Sequence, residues 1–120
     1  MIPGDQEFII GGKRDAAFGP VVLFGVGGIT TEVLRDFALR ICPIEGKRAA
    51  GMIDELKMKP LLEGFRGLPR VDRSAVARAV VGVSRILLEN PSVAEIDVNP
   101  LKWARGRLIA VDAKIILAVA

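Results

Sequence analysis

The run Glu95-Ile96-Asp97-Val98-Asn99-Pro100-Leu101 constrains the fold of this chain more than any other stretch, because it sets three oxygen-bearing side chains on alternate positions of an otherwise apolar segment. In an extended chain successive side chains point to opposite faces, so Glu95, Asp97 and Asn99 share one face while Ala94, Ile96 and Val98 share the other. Burying unpaired carboxylates is costly, so the polar face calls for a cation, a ligand, a row of donors or water. A second alternating run returns from Leu108 to Lys114, with Leu108, Ala110, Asp112 and Lys114 opposite Ile109, Val111, Ala113 and Ile115. Ala104-Arg105-Gly106-Arg107 between them reads as a hairpin turn. Antiparallel pairing across that turn brings Asp97, Asn99 and Asp112 toward one spot. A solvated face of an ordinary antiparallel sheet accounts for the same spacing.

At 120 residues the chain is expected to form a single domain. Apolar residues make up 51% before the 13 glycines are counted, an excess that points to surface meant for a partner or for missing chain. No uncharged apolar run approaches the ~20 residues of a membrane helix. Met1-Ile2-Pro3-Gly4-Asp5 lacks the basic and apolar regions of a secretory signal, so the cytoplasm is the expected compartment and no membrane contact is expected. Cys42 is the one cysteine and there is no histidine, which removes internal disulfides and Cys-His catalysis and leaves Cys42 as a core residue. The net charge of +3 is scattered, with few aromatics to stack bases, so no nucleic-acid partner is expected.

Along the chain, Glu7 to Lys13 and Val21 to Phe24 read as strands. The second ends in Gly25-Val26-Gly27-Gly28, a loop able to bare backbone N–H groups to a phosphate, although a plain tight hairpin explains the same residues. A third strand is expected from about Asp36 to Cys42, closed by Pro43. Lys47 to Met58 carries Ala49, Met52, Ile53 and Leu56 at helical spacing and predicts an amphipathic helix stopped by Lys59-Pro60. A glycine-punctuated connector then runs from Leu61 to Pro69. The second helix, N-capped by Asp72 or Ser74, sets Val76, Ala79, Val80, Val83 and Leu87 on one face and ends at Asn90-Pro91. The expected class is α+β, a largely antiparallel sheet with two main helices packed on one face.

Several stretches in order resemble a known family. They are Lys13-Arg14-Asp15 with Phe18-Gly19-Pro20-Val21-Val22, Gly25-Val26-Gly27-Gly28-Ile29 with Glu32-Val33-Leu34 and Asp36, then Arg40, Leu61-Leu62-Glu63-Gly64-Phe65-Arg66-Gly67, Val71-Asp72, Asp97-Val98-Asn99-Pro100-Leu101 and Val111-Asp112-Ala113. Their order and spacing, from about Glu7 to Ile116, resemble the C-terminal part of the ATP-grasp domain of NDP-forming (ADP-forming) acyl-CoA synthetases such as acetate-CoA ligase, relatives of the succinyl-CoA synthetase β subunit. The resemblance implies an ATP or ADP site between two lobes. It also implies Mg²⁺ held here by Asn99 and Asp112, with Asp97 matching the acidic residue that precedes the Asn. Mg²⁺ favours hard oxygen ligands and usually binds through one or two protein oxygens plus phosphate and water. Gly27, Gly28 and Glu32 are the candidates for the phosphate end of the site.

The resemblance further implies that residues 1–120 are one lobe, with the N-terminal ATP-grasp lobe and the CoA-ligase domain or subunit supplied elsewhere. Such synthetases relay a phosphoryl group through a histidine, and this chain has none. Three functions therefore stand side by side: the nucleotide- and Mg²⁺-binding lobe of an ADP-forming acyl-CoA synthetase, inactive alone; an effector-binding synthetase-like domain of a protein acyltransferase; and a non-catalytic assembly module. Retention of Asp97, Asn99 and Asp112 favours the first.

Overall fold

The computed structural model describes residues 6–27, 36–64, 67 and 69–118. Its centre is an antiparallel sheet built from β1 (Gln6–Asp15), β2 (Gly19–Val26), β3 (Phe37–Ile41), β4 (Val93–Ala104), β5 (Arg107–Ala110) and β6 (Ala113–Leu117). The order across the sheet is β3-β2-β1-β4-β5, and β6 pairs with β4 as well. β4 thus holds β1 along one edge and two short strands in succession along the other, β6 beside Val93 to Val98 and β5 beside Leu101 to Ala104.

The α+β expectation holds, and the long helix forms where the apolar spacing puts it. α3 (Arg73–Glu89) is capped by Asp72, whose carboxylate accepts from the Ser74 N–H at 2.9 Å. It buries Val76, Val80, Val83 and Leu87 against β1, β2 and β4. Gly12 faces this helix, and a Cβ there would lie 2.9 Å from both Leu87 Cδ1 and Val83 Cγ1. Glycine is what lets helix and sheet approach so closely. Phe8, Ile10, Val22, Phe24, Ile96, Leu101 and Trp103 complete the core from the sheet side, with the Phe8 and Phe24 rings stacked at 5.5 Å.

The expected helix from Lys47 to Met58 is corrected. Only α1 (Gly46–Ala50) is α-helical; Gly51–Glu55 tightens into a 3-10 turn and Leu56 is extended. The predicted apolar positions still face inward, with Ala49, Met52, Ile53 and Leu56 all buried. A short helix between two glycines pays heavily in backbone entropy, and the tighter turn keeps the same contacts with fewer helical residues. Lys59-Pro60 does not end a helix but opens one: the connector begins with the single turn α2 (Lys59–Leu62), where proline sits in the first turn and its missing N–H costs nothing.

Two anchors tie these pieces to the sheet. The buried carboxylate of Asp36, just before β3, accepts from the backbone N–H groups of Lys57 (2.6 Å) and Met58 (2.9 Å). At the other end of the domain, the Arg14 guanidinium donates to the carbonyls of Leu87, Asn90 and Val93, closing the C-terminus of α3 onto the start of β4.

The helices cover one face of the sheet. On the opposite face Phe37, Leu39 and Ile41 are 39%, 52% and 45% exposed, an apolar stripe that nothing among the described residues covers. No helix among the described residues is long and apolar enough to cross a membrane.

Candidate functional site

β4 is the element on which the polar residues depend. Glu95, Asp97 and Asn99 are exposed while Ile96 is buried, as alternation requires. Beyond Pro100 the parity changes, and Leu101 and Trp103, on the odd positions that had faced outward, turn into the core. The β1 pairing slips at the same place: Phe8 and Ile10 are two positions apart, but their partners Leu101 and Val98 are three. The extra residue on β4 is a bulge, which bends a strand and re-aims its side chains. The Asn99-Pro100 peptide at the bulge is cis.

The returning segment bends at the same level. The expected single run from Leu108 to Lys114 is corrected to two strands, β5 and β6, separated by Val111 and Asp112. The turn before it is a two-residue hairpin whose central residues both have positive φ, Arg105 at 52° and Gly106 at 76°. Across the break, the Asn99 N–H donates to the Asp112 carbonyl at 3.0 Å, and the Val111 N–H donates to the Pro100 carbonyl at 3.0 Å. Asn99 and Asp112 therefore stand opposite each other where β4 exchanges one neighbour for the next. Ile109 and Val111 are exposed: past the bulge it is Leu108, paired with buried Trp103, that packs against the core, while Ile109, paired with Lys102, faces the other way and Val111 stands opposite Pro100 in the break.

One step away along β4, Asp97 pairs with Lys114 of β6 on one side and with Gly11 of β1 on the other. A Cβ on Gly11 would meet nothing closer than the Ile96 carbonyl at 3.9 Å. Its missing side chain leaves a depression of about 260 Å³ on the helix-free face, bordered by Lys13, Leu23, Leu39 and Glu95. The alternation had put Lys114 on the face of Asp112, but only the register shows it directly opposite Asp97.

The arrangement supplies two carboxylates and an amide at an open surface. None of Asp97, Asn99 or Asp112 spends its side chain on an ion pair or hydrogen bond among the described residues. No group of three or more His, Cys, Asp or Glu side chains able to hold a metal occurs among the described residues. A softer ion needing a full protein cage does not fit here. Mg²⁺, which takes one or two protein oxygens and fills its octahedron with phosphate and water, does fit the donor set.

Gly27 is buried, its N–H donates to the Glu7 carbonyl at 2.9 Å, and a Cβ would crowd the Phe8 backbone at 3.1 Å. Gly25 is tighter still, with the Asp36 carbonyl 2.7 Å from the position of a Cβ. These two glycines serve close strand packing. Gly28 and Glu32, the other residues expected at the phosphate end, lie outside the described residues.

A sequence model of the ATP-grasp domain matches residues 1–117. The beta subunit of ADP-forming acetate–CoA ligase I of Pyrococcus furiosus is 44% identical over 117 residues, which cover 98% of this chain and 50% of that subunit. The ADP-forming acetate–CoA ligase I of Archaeoglobus fulgidus is 40% identical over 117 residues, 98% of this chain and 17% of that protein. Among solved structures, the dinucleotide-forming acetyl-coenzyme A synthetase 1 of Ca. Korarchaeum cryptofilum matches with a TM-score of 0.90 at 44% identity, over 98% of this chain and 55% of that one. That structure holds coenzyme A and Mg-AMPPCP, with a phosphohistidine segment pointing towards the nucleotide binding site. The chain thus spans about half the length of the Pyrococcus subunit and of the Korarchaeum chain. Matched over nearly all its length in sequence and in fold, it belongs to the ATP-grasp domain family, with ADP-forming acetate–CoA ligases as relatives.

Proposed function

We propose that this chain is the Mg²⁺- and nucleotide-binding lobe of an ADP-forming acid–CoA ligase that works in the cytoplasm and converts acid, CoA and ATP to acyl-CoA, ADP and phosphate. The observation that carries the reading is the opposition of Asn99 and Asp112 at the break between β5 and β6, with Asp97 one step away. Asn99 lies on β4, and two backbone hydrogen bonds tie the short break that carries Asp112 to that strand, which fixes the backbone of both residues relative to each other. Mg²⁺, when bound, would be held by Asn99 and Asp112 and would neutralise charge on the terminal phosphates.

The chain's own contribution is to bind and orient. The helix-free face presents the polar residues of β4 and, across β1 with its Gly11, the apolar side chains of Val21 and Leu23 on β2 and of Leu39 on β3, a surface suited to a ligand with an apolar base and a charged tail. Glu32 and Gly28, in the segment after β2, are assigned to the phosphate end, and Gly27 shapes the entry to that segment by its packing. If Glu32→Gln in the complete enzyme leaves the kinetic constants for nucleotide unaltered, that part of the assignment is dropped. The absence of histidine means that any phosphoryl acceptor of this type must come from another part of the assembly. The rest of the ATP-grasp domain and a CoA-ligase domain or subunit are the partners, consistent with the length of the relatives.

The test is Asp112→Asn in the enzyme assembled with those partners. The expected result is a Mg²⁺ requirement displaced at least roughly tenfold upward and a fall in turnover of about 100-fold or more, the scale of losing a charged group acting on transferring phosphate. Unchanged Mg²⁺ dependence would overturn the reading. The purified 120 residues alone are expected to show no ATP-, acid- and CoA-dependent turnover in a coupled assay.

A further inference from the structure

We infer that Lys114 is a phosphate-contacting residue of this nucleotide site, a role that rests on the reading above and extends it to a cation on β6. Lys114 is the cross-strand partner of Asp97, so the two side chains leave the sheet on the same face. It also lies two residues after Asp112 in the sequence, at the start of β6. It is exposed, and among the described residues its side chain forms neither an ion pair nor a hydrogen bond, even though a carboxylate stands directly across from it. An ammonium beside Asp97 that has not closed onto it is available to a third party.

The charge on this face says what that party is. Glu95, Asp97 and Asp112 give three carboxylates, and the ammonium groups among their strand partners are Lys13, opposite Glu95, and Lys114, opposite Asp97. A nucleoside di- or triphosphate entering here carries negative charge toward carboxylates, and Asp112 can meet it only through a cation. Oxygens of the terminal phosphates not turned toward that cation need a donor on the same face. Lys114 is placed for them, one strand over from Asp97 and one alternation from Asp112, on a flexible stem that delivers a compact positive charge. Lys13 lies a further two residues along the strands, next to the depression left by Gly11. The chemistry recognised is a polyphosphate, and the adenosine end takes no part in it.

The test is isothermal titration of the assembled enzyme with ADP and, separately, with adenosine, each with and without Mg²⁺. Lys114→Met is expected to weaken ADP binding roughly 10- to 50-fold, the size of one charge-assisted hydrogen bond, and to leave adenosine binding within about twofold. Lys114→Arg is expected to recover ADP binding to within about threefold, because a guanidinium still donates to phosphate. Lys114→Met that binds ADP like the parent, or that loses adenosine and ADP equally, overturns the inference. Asp112→Asn in the same titration separates the two readings. If it leaves the Mg²⁺ enhancement of ADP binding intact, the metal assignment fails, and the Lys114 comparison without Mg²⁺ is still decided by its own result.

Discussion

Replacing Arg14 by methionine tests how the end of α3 is held to the sheet. Methionine keeps much of the length and apolar stem of the side chain and removes the guanidinium, so the packing of the stem is conserved. The guanidinium donates to three carbonyls, those of Leu87 and Asn90 at the C-terminus of α3 and of Val93 at the first residue of β4, with 2.9 Å to the last two. A hydrogen bond from a charged donor contributes about 1.5–3 kcal/mol when its acceptor is dry, and a cation at a helix C-terminus adds roughly 0.3–1 kcal/mol. The Asn90 contact is exposed, and water reaches its carbonyl when the arginine is gone. Counting the two half-buried contacts at the low end and adding the helix-end contribution, the net loss is about 3–4 kcal/mol. With a urea m-value of about 2 kcal/mol/M for a domain of this size, the unfolding midpoint falls by roughly 1.5–2 M. Arg14→Lys keeps the charge but not the fork, and about half the loss is expected. The assay is equilibrium urea unfolding followed by the fluorescence of Trp103. If Arg14→Met lies within about 0.5 kcal/mol of the parent, a value ordinary for surface substitutions, the anchor has no energetic role.

Gly25→Ala is expected to cost about 2–3 kcal/mol, because the new Cβ would fall 2.7 Å from both the Asp36 carbonyl and Phe37 Cβ and the β2 and β3 backbones must part; Gly46→Ala, with nothing within 4 Å, serves as the control and is expected to be neutral or slightly stabilising. Equal urea midpoints for the two variants would refute the packing argument. Hydrogen bonds from Arg73 and then Lys59 hold the Asp54 carboxyl well below the usual carboxylate range. A lowered carboxylate pKa stabilises the fold above the ordinary 3.8 and loses that stabilisation as the pH falls through the native value. Asp54→Asn should therefore unfold at lower urea than the parent at about pH 7, by an amount that does not vary between about pH 5 and 8 and shrinks below about pH 4. A gap that persists unchanged at about pH 2 would show that the carboxylate charge is not its cause.

What the amino-acid order disclosed was set by how local its causes are. α3 was legible because its period of apolar residues and its Asp72 cap lie within a few turns of one another, and so was the Arg105-Gly106 hairpin. The stretch from Lys47 to Met58 misled because a 3-10 turn buries the same Met52, Ile53 and Leu56 that a helix would; only Gly46 and Gly51 signalled the shortening. Alternation gave Glu95, Asp97 and Asn99 their common exposure, but it ran on through Pro100 as if nothing changed there. The bulge at that point shows in the pairing with β1, which is remote in sequence; its local trace is Pro100 and the switch of apolar residues from Ile96 and Val98 to Leu101 and Trp103. Lys114 and Gly11 became neighbours of Asp97 through register alone, and the roles of Asp36 and Arg14 depend on carbonyls and N–H groups that any sequence would carry.

The place of β1 in the middle of the sheet has a consequence for the growing chain. Its partner on one side, β2, follows within a hairpin, but the partner on the other side is β4, with Gly11 opposite Asp97. At ordinary synthesis rates the second partner leaves the ribosome on the order of ten seconds after the first. Through that interval a three-stranded meander of β1, β2 and β3 presents β1 as an open edge, carrying Phe8, Ile9 and Ile10, to any other chain nearby. Gly11 and Gly12 in the second half of that strand lower its propensity to pair with strangers, since they offer little side chain to bury. The same two residues that later admit α3 and open the depression beside Asp97 would then also guard the nascent chain against aggregation before β4 arrives.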